Sequence, residues 1–354
     1  MNPVRSAERP ASAPRPAVPV PAARGPLSGL VTEVLAGPAA GGCRAAAGAV
    51  AGPGGTVART EPLGDDLQLA LHLCYELHYQ GLGGVDPDWE WQPDLLRLRG
   101  ALEGAFHACL RDLVTGGSDL AAELDALLTE PPDGDGLSHR LRREGTWEQV
   151  RELFTHRSVY QLKESDPQAW LVPRLSGRAK AALAAVEFDE FGAGRAERVH
   201  SRLFADLMAA AGLDPRYGRY VDAVPGCTLA TVNLMSFLGL HRARRGAMAG
   251  LFAAAEISSA PGARRMLQVL DRLGAPEACR HFYREHVEAD AVHEQLMRRE
   301  VIGGLLEEEP ELRAEVVFGI QAAGFLDGRF TAHVRDRWQR GSSSLRIPLA
   351  PAAG

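Results

Sequence analysis

The chain has 354 residues, 45% hydrophobic and 24% charged, enough to bury a sizeable core in one large domain or two ordinary ones and incompatible with disorder throughout. Lys plus Arg number 39 against 45 for Asp plus Glu, a formal charge of -6, so no bulk positive field marks a nucleic-acid or anionic-membrane binder. No run approaches about 18 uninterrupted apolar residues, and Arg and Pro occupy the N-terminus where a secretory signal needs an apolar stretch. The expectation is a soluble cytoplasmic protein.

Residues 1–60 carry Pro, Gly or Ala at 33 of 60 positions and a net charge of +4, a composition too poor in large apolar groups to offset its ordering entropy. It is expected to be a disordered arm. A helical pattern begins after Asp65-Asp66, a candidate N-cap, with Leu67, Leu69, Leu71, Leu73 and Leu77, and stops near Gly81-Leu82-Gly83-Gly84. Further helices are expected at roughly 93–115, 119–129, 146–165, 174–191, 195–212, 228–257, 261–273, 276–304 and 310–339, with a boundary at Pro131-Pro132. Period-2 runs of β-branched residues are essentially absent, so the fold is read as all-α, with an N-terminal helical region at 61–145 and a core at 146–345. The five cysteines, Cys43, Cys74, Cys109, Cys227 and Cys279, are scattered, and no C-x-x-C pair suits a thiolate metal site; they read as small buried hydrophobes. Lys occurs only at Lys163 and Lys180.

The most informative segment is His286-Val287-Glu288-Ala289-Asp290-Ala291-Val292-His293. Steps of four and three residues stack His286, Asp290 and His293 on one helix face, and two imidazoles with a carboxylate suit iron, manganese or zinc. A solvated charged face is the competing reading. Glu256 closes the apolar run Gly250–Ala255, where a lone carboxylate is costly to bury without a partner such as a metal ion, unless the helix ends there before Pro261. Glu197 and His200 have the Glu-x-x-His spacing of carboxylate-bridged di-iron bundles. Glu190 is the rival: Gly192 and Gly194 lie between it and His200, so it can close one helix while His200 opens the next. Glu164 falls in the last turn of a helix ending before Pro167, where a carboxylate opposes the macrodipole.

The series Glu164, Glu190, His200, Glu256, His286, Asp290 and His293 resembles the haem-oxygenase-like di-iron oxidase and oxygenase superfamily. Leu162-Lys163-Glu164, Asp166-Pro167, Pro173-Arg174-Leu175, Asp189-Glu190-Phe191-Gly192 and His200 with Leu203-Phe204 look more closely like the bacterial iron-containing redox enzymes. The resemblance covers about 62–345. It implies a haem-oxygenase-like helical bundle enclosing two irons per chain, one often labile, with dioxygen, a small-molecule substrate and an electron donor as partners and a homodimer as the assembly. It further implies that Glu190, His200 and His286 hold one iron, that His293, Asp290 and Glu164 lie nearer the other, and that Glu256 bridges or caps the pair. Tyr160, Asp189, Glu197 and Tyr283 become candidates to orient the imidazoles.

N-oxygenation, desaturation and C–C cleavage all occur in the superfamily, so the resemblance leaves the reaction open. Arg174 or Arg242 would favour an acidic substrate if either faced a pocket. Glu76 is read as structural or substrate-binding, and Trp89-Glu90-Trp91 as a packing aromatic pair. The alternatives are a haem-binding or cofactor-less relative on the same fold, and a non-enzymatic helical interaction protein.

Overall fold

Leu67, Leu69, Leu71 and Leu73 are all fully buried on a helix spanning Asp65–Glu76, and Gln68, His72 and Glu76 are buried too, so this element is buried around its whole circumference with one polar stripe. A computed structural model of the protein describes residues 17–42, 48–50, 54–129, 134 and 136–350, apart from the side chains of 288–291. Among them every regular element is helical. Asp65 and Asp66 sit in the first turn of their helix, not at its N-cap, and direct their carboxylates at two neighbours. Asp66 accepts from the backbone N–H groups of Leu27 (2.9 Å) and Ser28 (2.7 Å), opening the Pro26–Leu35 helix. Asp65 accepts from Gly226 N, opening the Gly226–Leu240 helix. Each satisfies donors that a helix N-terminus leaves unpaired.

That capping corrects the expectation of disorder over 1–60 for its described part. Val18, Leu27, Val31 and Leu35 are buried in the main core, and Trp89 Nε1 donates to Gly37 O at 2.9 Å. A few well-spaced apolar residues suffice where a partner helix supplies both the caps and the apolar surface. Residues 1–16 and 43–47, with Cys43, lie outside the described residues. Of the expected aromatic pair, Trp89 packs and Trp91 is exposed.

Helices at Pro93–Leu113, Leu120–Leu128, Trp147–Gln161, Gly177–Glu190, His200–Ala210, Glu277–Gln295 and Arg313–Gln339 follow the expected order, with an additional one at Leu137–Glu144. The expected break near 258–260 is absent. Gly226–Leu240 is followed by a short turn at Arg242–Arg244, and a single helix then runs Arg245–Arg272 with Pro261 inside it. Proline there costs the hydrogen bond to the Ile257 carbonyl. Packing of this helix against both Glu277–Gln295 and Arg313–Gln339 outweighs that local preference.

The contact with Arg313–Gln339 is a close backbone approach. A Cβ on Gly250 would collide with the Val316 carbonyl, and one on Gly319 with the Ala247 carbonyl. Both obstacles are backbone, so the helices must separate to admit a methyl group. Gly319→Ala is expected to lower stability by about 1–3 kcal/mol, read as a drop in melting temperature. An unchanged melt would contradict the close approach.

Two apolar clusters fill the interior. Along Arg245–Arg272 the first extends to Ile257 and the second begins at Ala263; along the Glu277–Gln295 rod and its continuation the second holds Phe282 and Tyr283 and the first resumes at Met297. The polar residues 256, 286 and 293 therefore lie at the junction where the two apolar cores meet. Glu277–Gln295 passes into a π-helical stretch at Leu296–Ile302, a wider winding that concentrates near functional sites. No described helix is long and apolar enough to cross a membrane.

Candidate metal centre

Five segments converge on that junction. Glu164 stands in the turn beyond Gln161, where the Trp147–Gln161 helix has ended. Glu190 is the last residue of Gly177–Glu190 and His200 the first of His200–Ala210. The chain reverses between them through Gly192 (φ 75°), Ala193 (φ 51°) and Gly194 (φ 79°). A Cβ on Gly192 would lie 2.6 Å from Val199 N, so glycine permits the reversal that returns Glu190 to His200. Glu256 is mid-helix and 8% exposed, which removes the reading that a helix merely ends there. His286 and His293 share the Glu277–Gln295 helix; Asp290 lies on it too, but its side chain is outside the described residues.

The side chains gather in two sets. Glu164, His200 and His286 each present one ligand atom, all within 4.8 Å of one another, and Glu190, Glu256 and His293 do the same. In the first set, His286 Nε2 is 3.4 Å from Glu164 Oε1, and the His200 and His286 ring centroids are 4.6 Å apart. His286 Nδ1 is 2.8 Å from the Phe282 carbonyl, a contact that makes Nδ1 the N–H donor and turns Nε2 toward Glu164. In the second set, His293 Nδ1 lies 3.0 Å from Glu256 Oε2 and 3.6 Å from Glu190 Oε1. Glu190 also reaches the first set, its Oε2 standing 2.9 Å from His200 Nδ1 without hydrogen-bond alignment. This grouping differs from the one the resemblance implied: Glu164 and Glu190 exchange sets, and Glu190, not Glu256, spans both. Glu197 is exposed on the loop and is not the partner of His200.

The electrostatics record a crowd of buried carboxylates. Burial alone would lower the pKa of His293, but Glu256, Glu190 and Asp189 around it raise it to about 9. His200 is likewise raised, burial being outweighed by Glu190 and Glu164. Burial pushes Glu256 up, and the neighbouring Glu190 adds to it against the opposing pull of His293. Glu164 moves down, because His286 and His200 outweigh its burial.

A divalent transition metal fits this donor set. Glu164 Oε2 is buried with no partner, as a carboxylate oxygen awaiting a cation would be. Mixed imidazole and carboxylate donors suit iron, whose ferric state the carboxylates stabilise and whose ferrous state the imidazoles retain. Asp189 Oδ2 is 3.4 Å from His293 Nε2, the side facing away from Glu256, so this carboxylate can orient the ring. Tyr160 instead accepts from Gln168 Nε2 at 2.7 Å, and Tyr283 packs against Phe154 and Phe282.

The sequence reading missed Glu187. It is 4% exposed, and its two carboxylate oxygens and the nearby Ser165 hydroxyl have no well-formed hydrogen bond. Burial first, then Glu190 and Glu256, push its carboxyl up to about 8. The signal was available as Glu187 and Glu190 three residues apart on one helix face. A cavity of about 280 Å³ opens beside the site, lined by Asp189, Gly192, Ala193, Arg198, His200, Glu285 and Val292, with Arg198 and Glu285 ion-paired at 3.0 Å. Arg174 does not face it: its guanidinium caps the carbonyls of Gly239 and Leu240 at a helix end, and Arg242 is exposed.

The profile of a family described as iron-containing redox enzyme matches residues 151–327, half of the chain, and spans all seven candidate ligands. A nitrosourea synthase from Streptomyces achromogenes subsp. streptozoticus is 26% identical over 233 residues, 64% of this chain and 50% of that protein. The chain thus spans about half the length of that curated relative.

Proposed function

The chain belongs to the iron-containing redox enzyme family, and from that premise we propose that it is a non-haem di-iron oxidase or oxygenase that uses dioxygen to oxidise a small organic substrate. The observation that carries the proposal is the pair of His/carboxylate sets joined by Glu190. In this reading Glu164, His200 and His286 would hold one iron, Glu256, His293 and Asp290 would hold the other, and Glu190, which faces both sets, would be shared between them. Four carboxylates, Glu164, Glu190, Glu256 and Asp290, balance the charge of two ferrous ions. Bound iron would supply the electrons and the open coordination positions for dioxygen activation. The substrate class is open among N-oxygenation, desaturation and C–C cleavage chemistries; the nitrosourea synthase relative favours oxidation at nitrogen. A small-molecule substrate, dioxygen, an external electron donor and a homodimeric, cytoplasmic setting complete the proposal.

The chain's own residues do three things here. The 280 Å³ cavity beside His200 admits a ligand near the small end of the usual range. The apolar clusters flanking the carboxylates lower the local dielectric, which strengthens charge interactions within. Asp189 holds His293 in the orientation that turns Nδ1 toward Glu256 and Glu190. Asp189→Asn is expected to weaken iron binding at the second set by roughly 10- to 100-fold, measured by competition with a chelator. Equal affinity would remove Asp189 from the site.

His293 must lose a proton to become a ligand. With its pKa near 9, apparent iron affinity at the second set should rise by about tenfold per pH unit from pH 6.5 and level off above 9. A flat profile over that window would contradict the assignment of His293. The function itself is tested by dioxygen uptake of anaerobically Fe(II)-loaded protein after mixing with oxygenated buffer. Rapid uptake, lost in His286→Ala, is the expected result; uptake no faster than free Fe(II) would refute the proposal.

A further inference from the structure

Glu76 lies outside the family-matched segment, yet it is 1% exposed at the end of the Asp65–Glu76 helix. Its Oε1 is ion-paired with Lys163 Nζ, also 1% exposed, and its Oε2 accepts from the Tyr217 hydroxyl at 2.6 Å. His72 Nε2 stands 3.8 Å from the same Oε1, and the Lys163 ammonium lies 4.2 Å from the centroid of the Tyr79 ring. Burial pushes the Glu76 carboxyl up, but Lys163, His72 and the two hydrogen bonds outweigh it and hold it below the ordinary value. His72, lowered to about 4 by burial, is neutral at pH 7. The charge at this point is therefore a single buried ion pair, whose partners are costly to separate because the survivor would be left uncompensated.

Lys163 immediately precedes Glu164. The turn that presents Glu164 is held locally by Lys163 N to Tyr160 O (2.8 Å), Asp166 N to Lys163 O (3.1 Å) and Gln161 Nε2 donating to Glu164 Oε1 (2.9 Å), but Glu164 N reaches Gln161 O only at 3.4 Å and Ser165 takes a left-handed φ of 69°. A non-glycine residue keeps such a conformation only where its surroundings over-determine it. Beside the Tyr160 hydroxyl, which accepts from Ser165 N at 3.5 Å, the constraint from outside this segment is the ion pair to a helix more than 80 residues upstream in the chain.

We propose that the Glu76–Lys163 pair is a latch by which the N-terminal helical region fixes the 162–165 turn and so holds Glu164 on the first iron. The proposal rests on the di-iron reading of the site. Glu76 and Lys163 act through Glu164 and are positioning residues. The latch also gives a reason for the N-terminal helices to be continuous with the family core: without them the turn bearing the first ligand loses its anchor.

The test compares wild type with full-length Glu76→Gln and with the double variant Glu76→Leu/Lys163→Met. The double variant removes both charges while keeping volume, so it remains folded even if the single variant does not. Amide hydrogen exchange is read on metal-free protein, and iron uptake by anaerobic titration. Expected are faster exchange at 162–166, with the interior of Trp147–Gln161 still protected, and a roughly 10- to 100-fold loss of affinity for the same iron that His286→Ala loses. Wild-type protection of 162–166 in the folded double variant would overturn the latch. So would faster exchange there with both irons bound as in wild type, which would make the pair a purely structural contact. Because exchange is read without metal, a wild type that takes up no iron would sink the functional reading while exchange still decides the latch.

Discussion

Glu190→Ala is expected to cost both irons, whereas His286→Ala and Glu256→Ala should each cost one. The asymmetry follows from one side chain: Oε2 of Glu190 faces His200 in the first set and Oε1 faces His293 in the second. On the di-iron reading, removing it would take a shared ligand and its negative charge from both sets. Losing even an outer-shell partner typically weakens a metal site 10- to 100-fold, so a shared ligand should cost at least about 100-fold in affinity at each set. Metal content after dialysis, with thermal melts to confirm folding, reads the result. A Glu190→Ala protein that keeps one iron at wild-type affinity would show that the two sets are independent.

Glu187→Gln is expected to stabilise the metal-free protein at pH 8 and to change little at pH 5. Between about pH 4.5 and 8 the unfolded chain has ionised Glu187 while the folded chain still holds its proton, so the folded state binds more protons and stability falls as pH rises. The penalty is fully developed above pH 8 and amounts to at most about 5 kcal/mol. Glutamine keeps the shape and cannot ionise. Melting temperatures of the two proteins should therefore coincide near pH 5 and diverge by pH 8, with the variant higher. Iron would narrow the gap, since a nearby dication stabilises the ionised carboxylate. A variant that melts lower than wild type at pH 8 would mean that Glu187 has a partner the site requires.

How much of this was legible in the sequence depended on whether the decisive interaction was local. The all-helical class was readable because period and punctuation agreed along most of the chain, its haem-oxygenase-like character came from the resemblance, and the His286 and His293 pair was readable because three and four residues are fixed steps on a helix. The residues alone left Glu190 and Glu197 as rivals, and the resemblance favoured Glu190; Gly192 and Gly194 mark the reversal that brings it to His200. Pro261 misled because its local penalty is overruled by helices on both sides, and that in turn disguised Glu256 as a helix end. The 17–42 segment misled for the same reason: its caps come from Asp66 and its apolar surroundings from helices distant in sequence. The partition of ligands was illegible, since Glu164 and Glu190 differ only in which side of the junction their backbones approach. Glu76 carried no local signal because its partner lies at Lys163.

The most direct test of the central claim is an anaerobic Fe(II) titration of the full chain, followed by Mössbauer spectroscopy of the loaded protein. The account predicts two irons per chain in two distinct ligand environments, one set lost in His286→Ala and the other in Glu256→Ala. A folded sample that binds no iron, or a single iron unaffected by either substitution, would contradict it.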